Sequence, residues 1–157
     1  MSNNSVVAAV VAGVISLVVS LVVSHYQNAN AGSQAAADQQ VQSALELEAA
    51  ATSLFQSATD LYNYEVNCYV AGDIWQVCTT KGVQAYPNYT SPLGTFAAAG
   101  SNIADRTAAQ LANQFEGEAV DIMKPQSVTD ADRSWNDLLA TYDNLITRCG
   151  NLVRRNH

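Results

Sequence analysis

The sequence predicts an all-α protein. The expected architecture is an N-terminal single transmembrane helix, then an up-down-up three-helix bundle, with a long aromatic and cysteine-containing loop between the first and second bundle helices. Three observations carry this. Residues 6–23 read VVAAVVAGVISLVVSLVV, with no charge and no proline. Three later stretches repeat apolar residues at alternating spacings of three and four, which places them on one helical stripe. Between the first two of these stretches, glycines and prolines interrupt any regular period.

The apolar run comes first. Eighteen residues at roughly 1.5 Å each span about 27 Å, near the ~30 Å hydrocarbon core. The expected division is a tail at 1–5, a transmembrane helix at 6–24, a polar spacer at 25–32 and a helical-bundle domain at 33–157. Ala29-Asn30-Ala31 has the small-x-small form of a signal cleavage site, but no Lys or Arg precedes the run, and the run exceeds an ordinary signal core. Ala8, Ala12, Ser16, Ser20 and Ser24 recur every fourth residue, with Gly13 on a neighbouring line. Small residues at this spacing let helices approach closely in lipid, so they are the expected transmembrane packing surface. The first cation after the run is Lys81. The lack of early cations favours an N-terminus inside and a C-terminal domain outside.

Charge and cysteine content narrow the function. The net charge is −7, with no basic stripe to neutralise phosphates, so nucleic acid is not an expected partner. The cysteines are Cys68, Cys78 and Cys149, without CxxC or CxxCH spacing. No metal site and no cofactor is therefore expected. The histidines, His25 and His157, lie far apart in sequence and suggest no catalytic cluster.

The first bundle helix is expected at about 33–66. Ala44, Leu47, Ala51, Leu54, Ala58 and Leu61 form an a/d-type seam, alanine on one line and leucine on the other. Val41, Leu45, Phe55 and Tyr62 widen it. Residues 67–100 form the expected loop, holding Gly72, Gly82, Pro87, Pro92, Gly94 and Gly100. Its rings, Tyr69, Trp75, Tyr86, Tyr89 and Phe96, either plug the bundle end or meet a partner. The second helix is expected at 101–123, with Ala104, Ala108, Leu111, Phe115, Ala119 and Ile122 inward and Asp105 near its positive end. The third is expected at 127–150, opened by Ser127 and Asp130 in a capping-box pattern. Its stripe is Ala131, Trp135, Leu138, Tyr142, Leu145, Cys149 and Leu152.

An up-down-up order brings the ends of the first and third helices to one pole. Cys68, Cys78 and Cys149 would then gather there, with three pairings open. The expected function is a non-enzymatic, membrane-anchored structural or accessory subunit. It would pack through its small-residue stripe and helical head into a larger assembly, with other transmembrane helices as partners and no small-molecule substrate. One alternative is a self-assembling filament or viral-envelope subunit with the apolar helix in a shared core. Another is an anchored sensory or ligand-binding bundle. No residue is singled out as catalytic, because Glu46, Glu48, Glu116, Glu118 and Asp121 lack the Glu-x-x-His pattern of di-iron bundles.

Overall fold

A computed structural model of the chain describes residues 33–86, 89–124 and 127–155. Among them are five helices: α1 (Ser33–Val70), α2 (Trp75–Ala85), α3 (Thr90–Asn102), α4 (Arg106–Ile122) and α5 (Val128–Arg155).

The α1 seam is the spine of the core. Ala44, Leu47, Ala51, Leu54, Ala58 and Leu61 are fully buried. The same three-four spacing continues to Glu65 and Cys68. α1 ends in a Schellman turn, in which the amides of Gly72 and Asp73 donate to the carbonyls of Tyr69 and Cys68. Gly72 takes φ +105°, a conformation that glycine adopts without a side-chain penalty.

Cross-contacts give the direction of each leg. The Cys68–Cys78 bridge and the approach of Gly82 to Leu61 and Glu65 make α2 antiparallel to α1. Tyr89 and Phe96 of the α3 segment meet Ala119 and Phe115, and Gly100 meets Ala112, so α3 continues the descent. Asp105 meets Arg148, and Gln114 meets Thr141, making α4 and α5 antiparallel. Tyr62 pairs with Trp135, and Thr52 with Tyr142, so α5 runs against α1.

The result is an up-down-up-down bundle whose second leg is broken into α2 and α3. This corrects the three-helix expectation. Residues 67–100 are not a loop but largely the missing leg. The extra reversal sends the C-terminal end of α5 toward the first half of α1, and Cys149 with it. The glycines that break the sequence pattern serve helix packing here. A Cβ on Gly82 would lie 2.9 Å from Leu61 Cδ1, and one on Gly100 would lie 3.3 Å from the Ala112 methyl. Pro92 falls in the first turn of α3, where its missing N–H has no helical partner to lose.

The membrane expectation is also corrected. Among the described residues, no helix is long and apolar enough to cross a membrane. The longest, α1, carries Asp38, Glu46, Glu48, Asp60 and Glu65 along its length. The described structure therefore does not support a single-pass architecture or its N-in, C-out sidedness. Residues 6–24, with Ala8, Ala12, Gly13, Ser16, Ser20 and Ser24, lie outside the described residues.

Two caps fix the later legs. The Ala108 amide donates to Asp105 Oδ1 at 2.8 Å, closing the start of α4. Arg148 grips the same carboxylate through Nε at 2.9 Å and through Nη2, tying α4 to α5. That paired guanidinium holds the Asp105 carboxyl below its usual range. At the start of α5, the Asp130 amide donates to Ser127 Oγ, which in turn donates to the Asp130 carboxylate.

A run of rings links the legs. Tyr62 stacks on Trp135, Trp135 on Phe55, and Phe55 on Tyr142, with centroids 4.8, 5.6 and 4.2 Å apart. Tyr142 then meets Phe115, and Phe115 meets Phe96 edge-on at 5.1 Å.

Candidate functional site

The pole formed by the α1–α2 hairpin gathers the chemically distinctive residues. Cys68 ends the α1 seam, and Cys78 lies on the buried face of α2 with Trp75, Thr79 and Gly82. The two cysteines are disulfide-bonded with Cα atoms 5.6 Å apart. Between them, Asp73 accepts from Lys81 Nζ at 2.7 Å, and its Oδ2 lies 3.6 Å from Cys68 Sγ. The tip is apolar and open to solvent: Val70 is 78% exposed, Ile74 65% and Tyr69 45%. Tyr69 leans edge-on against Trp75, centroids 5.9 Å apart.

The bridge closes a ten-residue separation. In the chain-entropy account such a loop contributes about 2–4 kcal/mol, by restricting the unfolded chain. Reduction should therefore lower the unfolding free energy by that amount, read as a lower urea midpoint, while the far-ultraviolet circular dichroism stays helical. Identical midpoints with and without reductant would show that the bridge contributes nothing.

Glu65 lies one α1 turn before Cys68. It is 1% exposed, and its Oε1 has no hydrogen-bond partner among the described residues. It packs against the bare Cα of Gly82, where a Cβ would come within 3.2 Å of Oε1. Burial pushes its carboxyl up to about 7. Tyr62 and Tyr89 feel its negative charge, and their phenols rise, chiefly through their own burial.

A second feature is the cleft where α2 gives way to α3. Its volume is about 460 Å³, and Ser57, Asp60, Tyr86, Tyr89 and Ser91 are among its lining. Tyr89 is fixed there by its hydroxyl, which donates to the Ala119 carbonyl at 3.0 Å.

The residues singled out by sequence separate into groups. Trp75, Tyr89 and Phe96 are buried, so their rings fill the bundle. Tyr86 is half-buried against Tyr64, and Tyr69 alone of the five is exposed. Cys149 is a free, buried thiol at the other end of the bundle. Burial pushes it up to about 12, which suppresses thiolate reactivity at neutral pH. Sequence reasoning passed over Glu65 and read Gly82 as a loop glycine. The signal for Glu65 was present: it occupies the next alanine-line position of the α1 seam, four residues after Leu61.

Comparison of the chain with protein-family models, with curated proteins and with solved structures gives no match.

Proposed function

We propose that this chain is a non-enzymatic structural or accessory subunit whose helical head docks into a larger assembly through the tip of the α1–α2 hairpin. The observation that carries the reading is the exposed apolar triplet Tyr69, Val70 and Ile74, presented on a hairpin that a disulfide holds rigid. Aromatic and aliphatic anchors on a pre-ordered support lose little entropy on association. The tip carries one close ion pair, Lys81 with Asp73, whose charges cancel. The partner that fits is an apolar helical surface on another subunit. The inert Cys149 thiol and the sealed Glu65 carboxyl also favour a non-catalytic role, because neither reaches solvent to meet a substrate.

The test is the association state of the full chain, alone and with co-purifying subunits, by native mass spectrometry. A Val70→Asp/Ile74→Asp variant should keep its fold, since both positions are exposed, and should lose the partner or the higher-order species. Complexes unaffected by the double substitution would remove the reading.

The cleft favours a second reading, a ligand-binding bundle. It joins one carboxylate, Asp60, to two tyrosine rings and two hydroxyls. A small molecule retained through gentle purification and lost in Asp60→Asn would favour it over docking.

A further inference from the structure

We propose that the hairpin, once reduced, is a metal site in which Cys68, Cys78 and Asp73 bind one thiophilic divalent cation of the zinc type, water completing the shell. Two cysteine sulfurs and a carboxylate oxygen of Asp73 lie within 4.8 Å of one another. Around a tetrahedral zinc ion, bonds of about 2.3 Å to sulfur and about 2.0–2.2 Å to oxygen set the ligands roughly 3.5–3.8 Å apart. The Cys68 Sγ to Asp73 Oδ2 distance is already 3.6 Å. The cysteine Cα atoms lie 5.6 Å apart, close enough for side-chain rotation to set the freed sulfurs at ligand spacing.

The redox step balances simply. A dithiol supplies two electrons and two protons, the Cys68–Cys78 bond breaks to two thiols, and the reductant leaves as its own disulfide. Each thiol then gives its proton to solvent as its sulfur–metal bond forms. Charge also balances. Two thiolates and one carboxylate meet a dication, and the Lys81 ammonium, 2.7 Å from Asp73 Oδ2, cancels the remaining negative charge. Asp73 and Lys81 are about half exposed, which leaves an entry path. The metal would thus replace the covalent pin with a coordinate one, and the hairpin would stay closed in both redox states.

The experiment uses the full chain with Cys149→Ala, reduced by a phosphine under argon and titrated with Cd²⁺. The thiolate-to-cadmium charge-transfer band should appear and saturate at one ion per chain. It should be absent from the oxidised chain and from Cys68→Ala. Asp73→Asn should bind at least about 10-fold more weakly, since even the loss of an outer-shell partner of a metal ligand costs on that scale. Cd²⁺ should also raise the melting temperature of the reduced chain, a readout that does not depend on the cysteine variant folding. Three results would each overturn the proposal: a bridge that resists reduction in the folded chain, no band at excess Cd²⁺, or undiminished affinity in Asp73→Asn.

Discussion

Glu65→Gln should stabilise the protein by about 2–3 kcal/mol at pH 8 and by almost nothing at pH 4. The folded carboxyl titrates near 7, against an ordinary value of 4.5. Below the unfolded value both states hold the proton, and burial carries no ionic penalty. Between the two values the unfolded chain ionises while the folded one keeps its proton, so stability falls as pH rises. Above the folded value the penalty levels off, at about 3 kcal/mol for a shift of this size. The amide in the variant has no charge to lose, though it leaves polar atoms beside Gly82, which trims the gain. Asp105 acts in the opposite sense, since its lowered value makes stability fall on acidification. The difference between parent and variant cancels that contribution. Melting temperatures from pH 4 to 8 should diverge upward through the interval. Parallel curves would mean that Glu65 is solvated in the folded state.

That carboxylate also marks where sequence reasoning stops. The alternating alanine and leucine lines of α1 are legible because small and large residues repeat without exception from Ala44 to Leu61. A charged residue at the next step reads as the end of the seam, yet the helix and the seam both continue. The reason lies in α2: Gly82 offers no side chain at the point of contact, so the glutamate stem occupies the vacated volume. The sequence pattern of one helix cannot announce a complement located on another.

The same logic explains the missed leg. α2 and α3 are 11 and 13 residues long, too short for a stripe to recur many times, and each holds glycine. Glycine inside a helix usually costs about 1 kcal/mol against alanine, so it reads as a break. At Gly82 and Gly100 close helix contact offsets that cost. Once this stretch is taken as a loop, the direction of every later helix inverts. That error, more than any single residue, placed Cys149 beside Cys68. The exposed apolar tip was half legible: Tyr69 stood among the five rings, but Val70 and Ile74 stand out only through the turn that exposes them.

The four-legged packing makes a further demand on Phe115. This α4 side chain is fully buried, meets Phe96 of α3 edge-on and lies 5.9 Å from the Tyr142 ring of α5. Phe96 is the buried residue of α3, so the Phe96–Phe115 contact is a principal hold of that helix on α4, alongside its packing on α1. Truncation to alanine removes a buried ring and leaves a cavity, at a cost of about 3–5 kcal/mol. Phe115→Leu keeps most of the volume and should cost about 1–1.5 kcal/mol. Against a total stability of roughly 5–15 kcal/mol, the alanine variant should lose a large part of its urea resistance. Its loss should also be uneven. The amides of α3 should exchange hydrogen well before those of α1 and α5, whose mutual stacking through Phe55, Tyr62 and Trp135 remains intact. Uniform acceleration across all helices, or a cost below about 1 kcal/mol, would mean that α3 is held to the bundle by something other than this ring pair.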